Sequence, residues 1–166
     1  MNEPETYNVV VTRTFDVPVE RVWQAWRDPE VVKQWWGPTG FTCPRADMDF
    51  REGGTSLVCM RAPQEYGGAD LYNTWTYEKI VPHQSIEFIQ KFTDENGTPL
   101  EPSAVGIPPG VPFSVRHVII FRRTGDDHTK MTVTEYGYTL EEARKLSKMG
   151  MEQCIDKMTA ALAKKA

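Results

Sequence analysis

The spacing of hydrophobic residues predicts that the chain begins with a strand followed by two short helices. Residues 7–15, YNVVVTRTF, alternate from Val9 to Phe15 and are rich in β-branched residues, which favours a strand. The next hydrophobic residues recur three or four positions apart, as on a helix: Val19, Val22, Trp23 and Trp26. Asp28 and Pro29 interrupt this pattern and predict the start of a second short helix, which Gly37 and Pro38 terminate.

From residue 41 to residue 138 the hydrophobic period is close to two, which predicts a meander of antiparallel strands. Ala46, Met48 and Phe50 alternate with charged residues, so a strand with one buried face is expected there. The later strand segments are SLVCMRA, YNTWTYEKIV, SIEFIQKF, FSVRHVIIFRR and TKMTVTEYGY. The last two are predicted to pair as a hairpin.

The C-terminal part of the chain has helical periodicity. Its hydrophobic residues form a stripe roughly 60° wide on a helix, and they are Met151, Ile155, Met158 and Leu162. This stripe could pack on the sheet of the same chain or form a coiled-coil seam with a second chain. Fewer than about three heptads are present, which favours packing within the chain.

The segment 94–112, DENGTPLEPSAVGIPPGVP, has five prolines, three glycines and no periodicity. A loop of this length inside a compact domain is either a functional lid or simply mobile. Both interpretations remain open from the sequence.

Composition is typical of a globular protein, and the 166 residues are predicted to form a single domain, 1–166. The net charge is −4 and basic residues form no run, so nucleic acid is not an expected partner. No signal peptide and no long apolar run are visible, and Cys43, Cys59 and Cys154 form no disulfide motif. We therefore expect a cytoplasmic protein that does not span a membrane.

Five motifs between Thr12 and Leu162 resemble, in the same order, those of the family named after the activator of the heat-shock-protein-90 ATPase. They are TRTFDVPVERVWQAWRDPEVVKQWWGP, DFREGG, YEKIVPHQSIEF, HTKMTVTEYGY and GMEQCIDKMTAAL. The resemblance places the chain in the START-like (SRPBCC) superfamily. It implies an α+β helix-grip fold, in which a curved antiparallel sheet wraps around a long C-terminal helix.

The same resemblance implies several functions, because family members include co-chaperone-like and stress-response proteins. Relatives in the superfamily bind lipids, hormones or polyketides, and some cyclise them. One departure from the family pattern is Gly150-Met151, where the family often has Gly-Trp at the long helix. A flexible methionine at this position either makes a pocket more adaptable or merely repacks it.

A curved sheet around one helix leaves a gap that either bulky side chains or a ligand must fill. Methionine suits a deformable pocket, although it also fills irregular cores. The residues predicted to contact a ligand are Trp36, Phe50, Val58, Met60, Phe88, His117, Ile119, Glu135, Met151, Ile155 and Met158.

Trp35 and Trp36 are adjacent, so their side chains point about 100° apart on a helix and cannot both face one narrow core stripe. We expect one indole to anchor the second short helix in the core. Trp36 is predicted to lie at the pocket mouth, between the short helices and the 94–112 loop. The alternative is that it covers the surface beside Pro38.

Hairpin register provides the polar residues of the predicted pocket. If Phe121 faces Met131, then His117 faces Glu135 on the same side of the sheet. This imidazole–carboxylate pair could transfer protons or orient a polar ligand group. It could instead be a cross-strand bond between two buried groups, or a slipped register could send both side chains to solvent.

Three functions are consistent with these observations. The first is a cytoplasmic binding protein for a small hydrophobic ligand held between the sheet and the C-terminal helix. The second is a chaperone-accessory or protein-interaction domain, and the third is a cyclase-like or hydrolytic enzyme that uses His117 and Glu135. No metal and no cofactor are predicted, and an enzyme is the less favoured class. Outward-facing Val118 and Ile120 leave a homodimer as an alternative to a monomer.

Overall fold

Residues 6–164, which the computed structural model describes, form a seven-stranded antiparallel sheet and three α-helices. The strands are β1 (Tyr7–Phe15), β2 (Thr42–Asp47), β3 (Thr55–Arg61), β4 (Asp70–Val81), β5 (Ser85–Thr93), β6 (Val115–Gly125) and β7 (His128–Tyr138). The helices are α1 (Val19–Arg27), α2 (Pro29–Trp35) and α3 (Glu141–Ala163). Residues 1–5 and 165–166 of the predicted domain lie outside the described residues.

The strand order in the sheet is β1-β7-β6-β5-β4-β3-β2. Each strand from β2 to β6 pairs with the next strand in sequence, whereas β1 pairs with β7 and forms the edge opposite β2. The long helix α3 packs against β1, β7 and α2. This α+β arrangement of curved sheet and long helix confirms the predicted helix-grip fold.

The two short helices form where the sequence pattern places them. The carboxylate of Asp28 accepts a hydrogen bond from the N–H of Glu30 at 2.9 Å, which satisfies a free donor at the start of α2, and Pro29 occupies the first turn. Gly37 follows α2 with φ of +104°, and a Cβ there would lie 3.0 Å from the Cβ of Phe41. Glycine therefore permits the sharp exit toward β2.

One predicted strand is shorter than expected. Met48 and Phe50 were expected to continue the strand that contains Ala46, but β2 ends at Asp47. Residues beyond Asp47 turn back, because the N–H of Asp49 donates to Ser56 Oγ at 3.0 Å and Gly54 N donates to the carbonyl of Arg51 at 2.8 Å. Phe50 therefore lies in the segment that joins β2 to β3 rather than on a strand.

The predicted hairpin register is confirmed. His117 pairs with Glu135, Ile119 with Val133, and Phe121 with Met131. Their side chains are buried on the inner face, which also excludes the slipped register. On the outer face, Ile120 is exposed and Val118 is half-buried.

The helix α3 packs within the chain, as predicted. Its stripe of large hydrophobic residues is buried, and it consists of Met151, Ile155, Met158 and Leu162. Cys154 is buried on the same side of α3. The core between this helix, the short helices and the sheet includes three buried indoles, because Trp26, Trp35 and Trp75 are each at most 1% exposed.

Candidate functional site

A cavity of about 240 Å³ lies between α3, the inner face of the sheet and the 94–112 loop. The sheet contributes Met60, Asn73, Gln90, Phe92, His117, Glu135 and Tyr138 to its wall. The helix α3 contributes Ala143, Leu146, Ser147, Gly150, Met151 and Cys154. The connecting segments contribute Trp36, Pro38, Ile107, Pro108 and Val111.

Small side chains on α3 create this space. Ala143, Ser147, Gly150 and Cys154 are spaced four, three and four residues apart, so they form one stripe along the helix. A helix with small residues on the face toward a curved sheet cannot fill the gap between them. The gap therefore stays open beside the first half of α3.

Five of the eleven predicted ligand-contacting residues line the cavity: Trp36, Met60, His117, Glu135 and Met151. They come from the end of α2, from β3, β6 and β7, and from α3. The register of the sheet and the turn of α3 bring them together. Whether they contact a ligand stays a prediction.

The other six predicted residues do not line the cavity: Phe50, Val58, Phe88, Ile119, Ile155 and Met158. Phe50 packs at ring-centroid distances of 5.5 Å from Trp23 and 5.1 Å from Tyr77. The remaining five are at most 1% exposed and belong to the packed core. Indole rings from α1, α2 and β4 fill the part of the gap beside these five residues, and a ligand contact there stays a prediction.

Trp35 and Trp36 take different environments, which resolves how adjacent indoles are accommodated. Trp35 is fully buried and its Nε1 donates to the carbonyl of Ala25 at 2.7 Å. Trp36 forms part of the cavity wall, with its ring 5.1 Å from that of Trp75 in an edge-to-face arrangement. Trp36 Nε1 is buried and has no hydrogen-bond partner among the described residues.

A buried polar cluster lies on the sheet side of the cavity. Tyr138 donates from its hydroxyl to Glu135 Oε1 at 2.6 Å, and His117 Nε2 lies 3.6 Å from the same oxygen. The ring of His117 stacks on Phe88 with centroids 4.7 Å apart. Burial, and then the nearby Glu135 carboxylate, raise the pKa of Tyr138 well above its usual range, so the phenol is a hydrogen-bond donor at neutral pH.

The sequence did not predict Tyr138 as a site residue, because strict alternation in β7 places Gly137 on the inner face. Gly137 adopts φ of +95°, and the pairing with β1 shifts by one residue there. This irregularity turns Tyr138 to the same side as Glu135. A glycine inside a strand pattern is the one signal that pointed to a bulge at this place.

Asn73 and Gln90 form a second polar pair that the sequence reasoning missed. Gln90 Nε2 donates a hydrogen bond to Asn73 Oδ1, and both side chains are more than nine-tenths buried. Gln90 falls on the inward positions of β5, between Phe88 and Phe92. A polar residue at an inward position was a usable signal.

Glu135 Oε2 and Asn73 Nδ2 are buried and have no hydrogen-bond partner within residues 6–164. Trp36 Nε1 is also buried without a hydrogen-bond partner among these residues, so three lining residues of the cavity carry unsatisfied polar atoms. Buried polar groups are almost always hydrogen-bonded, and leaving one unpaired costs roughly 1–3 kcal/mol. The unpaired atoms in the residues of the cavity wall are two donors, on Trp36 and Asn73, and one acceptor, on Glu135.

The cavity thiol has no features of a nucleophile. Burial raises the pKa of Cys154 to about 12, and that of Cys43 to about 11. Cys43, Cys59 and Cys154 are all buried and free, as the sequence suggested.

Within the described residues, no three His, Cys, Asp or Glu side chains converge as ligands for a metal ion. In the same part of the chain, no helix is long and apolar enough to cross a membrane.

Comparison with known proteins gives a family match. The sequence model of the family described as "Activator of Hsp90 ATPase homolog 1-like protein" matches residues 16–163, nearly the whole chain. The family resemblance inferred from the motifs is thereby confirmed. Among curated proteins, none matches this sequence significantly.

Solved structures share the fold at low sequence identity. A protein from Arthrobacter aurescens is 25% identical, with a TM-score of 0.77, over 96% of this chain and 87% of that one. Protein Ms6760 from Mycobacterium smegmatis is 24% identical, with a TM-score of 0.71, over 96% and 93% of the two chains. The AHSA1 protein from Silicibacter pomeroyi is 19% identical, with a TM-score of 0.74, over 95% and 98%.

Proposed function

Since this chain belongs to the Activator of Hsp90 ATPase homolog 1-like family, we propose that it is a cytoplasmic binding protein for a small hydrophobic ligand. The observation that carries the proposal is the cavity of about 240 Å³ between the sheet and α3. An unfilled interior volume of that size costs on the order of several kcal/mol. A ligand would offset that cost by supplying the missing contacts.

The apolar part of the wall supports a hydrophobic ligand. Met60, Phe92 and Met151 face the cavity together with Trp36, and neither lysine nor arginine is among the described lining residues. Methionine side chains adapt to differently shaped guests, and an indole offers a flat surface for aromatic contact.

Cavity size limits the ligand to about one or two rings. A cavity of about 150 Å³ in a protein core holds benzene, and ligand sites for larger drug-sized molecules begin near 300 Å³. The observed volume of about 240 Å³ lies between these values.

The 94–112 loop would serve as the lid of this cavity. Ile107, Pro108 and Val111 line the cavity from the loop, and the half-exposed Leu146 lines it from α3. The loop also contacts the start of α3, where Thr139 N donates to the carbonyl of Gly110 at 2.9 Å. Ligand entry would require the loop to separate from α3 while this contact holds its end.

Thermal unfolding with small aromatic ligands tests the proposal. A ligand at a concentration 100-fold above its Kd should stabilise the folded state by about 2.7 kcal/mol, which raises Tm by several degrees. Native mass spectrometry of the purified protein should show a small co-purifying molecule. A Tm that ignores all such ligands, together with an empty mass spectrum, would contradict the proposal.

A matched pair of variants locates the binding. Met151→Trp restores the indole that the family often has at this position and should fill the cavity, so the ligand-induced rise in Tm should be lost. Met149→Trp makes the same change at a side chain that is 54% exposed and should leave the rise intact. Equal behaviour of the two variants would place the binding site elsewhere.

A chaperone-accessory role is the second candidate, and the family description supports it because it names an activator of the Hsp90 ATPase. The test adds the purified chain to a purified Hsp90 and measures the ATPase rate. A change in rate that survives in Met151→Trp would support this role independently of the cavity.

Catalysis within the cavity is the third candidate, and the contact of Tyr138, Glu135 and His117 supports it. These groups can donate, accept and relay a proton beside an apolar ligand. A double variant, His117→Ala with Glu135→Ala, should abolish turnover of any substrate that is found. Unchanged turnover would refute a catalytic role of the pair.

A further inference from the structure

The hydrogen bonds of Glu135 leave its carboxylate short of donors. The side chain is 5% exposed, and its Oε1 accepts the Tyr138 hydroxyl at 2.6 Å. Its Oε2 has no partner within residues 6–164. An ionised carboxylate normally accepts several hydrogen bonds, so one donor is not enough for a buried one.

His117 does not supply the missing donor in its neutral form. His117 Nδ1 lies 3.2 Å from the carbonyl oxygen of Val115, and a carbonyl only accepts hydrogen bonds, so Nδ1 carries the hydrogen. In neutral His117 the other nitrogen, Nε2, is then an acceptor, and it faces Glu135 Oε1 at 3.6 Å. Two hydrogen-bond acceptors, His117 Nε2 and Glu135 Oε1, therefore face each other. A proton or a donor group placed between them would remove this unfavourable contact.

The described lining residues of the cavity include an acidic side chain but no lysine or arginine. Glu135 is the only carboxylate among the described lining residues, and lysine and arginine are absent from them. The nearby Lys157 is engaged elsewhere, since its Nζ donates to the carbonyls of Gly37 at 2.8 Å and Phe41 at 3.0 Å. A ligand carboxylate placed in this cavity would meet Glu135 without a compensating cation, which is unfavourable.

We propose that the cavity selects ring compounds that carry a hydrogen-bond donor, an amine or a hydroxyl group, and rejects carboxylic acids of the same size. This inference rests on the proposed binding function and specifies its ligand class. The donor group would approach Glu135 Oε2 and His117 Nε2. A neutral acceptor elsewhere on the ligand, such as a carbonyl, would meet the unpaired N–H groups of Trp36 and Asn73.

Four ligands built on one ring test this selectivity: benzylamine, benzyl alcohol, ethylbenzene and benzoate. Their Kd values are measured by titration calorimetry at neutral pH and low salt. We expect the amine and the alcohol to bind at least about tenfold more tightly than ethylbenzene, which corresponds to about 1.4 kcal/mol. Benzoate should bind most weakly.

A charge-removing variant attributes the selectivity to Glu135. Glu135→Gln keeps the shape and an acceptor for Tyr138 but loses the charge, so the preference for benzylamine over ethylbenzene should fall about tenfold. Glu142→Gln removes a charge from the exposed start of α3 and should leave the preference unchanged. The wild-type comparison stands even if Glu135→Gln fails to fold.

The outcomes separate this inference from the binding function itself. Similar affinity for all four ligands, or tightest binding of benzoate, would overturn the donor selectivity and leave the hydrophobic carrier in place. Binding of none of them in wild type, with a Tm that also ignores other small apolar ligands, would overturn both. An amine preference that persists in Glu135→Gln would overturn the role of this carboxylate.

Discussion

The two ends of the space between the sheet and the helices are built differently. At one end, rings from α1, α2, β4 and β5 fill the gap, and Trp26 lies 4.8 Å from Trp35 and 6.0 Å from Trp75 by ring centroids. At the other end, the first half of α3 presents Ala143, Ser147 and Gly150, and a cavity remains. The same curved sheet therefore borders a filled core or an open cavity according to the size of the opposing side chains.

The two halves of α3 show the same contrast within one helix. The second half buries Ile155, Met158 and Leu162 against the core, whereas the first half leaves Leu146 half-exposed in the wall of the cavity. Stability is thus expected to reside at the aromatic end and adaptability at the cavity end. The following substitutions test that division.

The largest effect is expected from the adjacent tryptophans. Trp35→Ala should lower the free energy of unfolding by about 3–5 kcal/mol, because it removes a fully buried indole and its hydrogen bond to Ala25. Trp36→Ala should cost clearly less, because one side of that ring already borders the cavity. Urea denaturation measures both, and equal losses would contradict the division between a filled and an open end.

Two leucines on α3 provide the next comparison. Leu162→Ala should cost about 2–4 kcal/mol, since this side chain is 4% exposed in the core. Leu146→Ala should cost less than about 1 kcal/mol, since half of this side chain is already exposed. Similar losses for both, measured by urea denaturation, would show that the first half of α3 is packed as tightly as the second.

Alkaline pH should weaken the folded state through the buried thiols. Burial raises the pKa of Cys43 to about 11 and that of Cys154 to about 12, from a usual value of 9.0. The unfolded chain therefore releases these protons first, so stability is fully present below pH 9 and falls as the pH rises toward 12. Each thiol contributes a slope of up to about 1.4 kcal/mol per pH unit.

Replacing Cys154, whose thiol lies in the cavity wall, tests this pH dependence. Cys154→Ser removes one titrating group and should flatten the loss of stability between pH 9 and 11, as measured by urea denaturation at each pH. Wild type and Cys154→Ser with parallel pH profiles would show that the Cys154 thiol titrates equally in the folded and unfolded states.

The smallest effects are expected from alanine substitutions of two glycines at the cavity end. One should raise the stability of the folded state and the other should lower it. Gly150→Ala should stabilise by about 0.5–1 kcal/mol, because its Cβ would have its nearest neighbour at 3.8 Å and alanine favours helix. Gly110→Ala should destabilise, because Gly110 has φ of +104° and its Cβ would lie 2.8 Å from that of Leu140. Thermal unfolding of the two variants checks the signs, and a stable Gly110→Ala protein would show that the loop does not depend on this close contact with α3.

Local sequence patterns were sufficient for most of the fold. The β6–β7 register followed from matching hydrophobic positions, because shifting a strand by one residue would turn every side chain to the other face. The pattern failed at Met48 and Phe50, where alternation continues past the end of β2 and hydrogen bonds to the next strand turn the chain instead.

The candidate site was only partly predictable. His117 and Glu135 could be paired because one hairpin joins them in sequence. Tyr138 was missed because the irregularity at Gly137 changes which face it occupies. Asn73 and Gln90 were missed because hydrophobic positions indicated the inner faces of β4 and β5, and these two inward side chains are polar.

The sequence by itself determined the family, the order of the elements and most of the inward-facing hydrophobic residues, since all three depend on periodicity and on motifs along the chain. Tertiary structure alone decided which inward residues border empty space. Phe88 and Met158 are as inward and as hydrophobic as Met60 and Met151, yet only the latter two line the cavity. The physical reason is that a cavity depends on the volumes of side chains that meet across the fold, which no local pattern records.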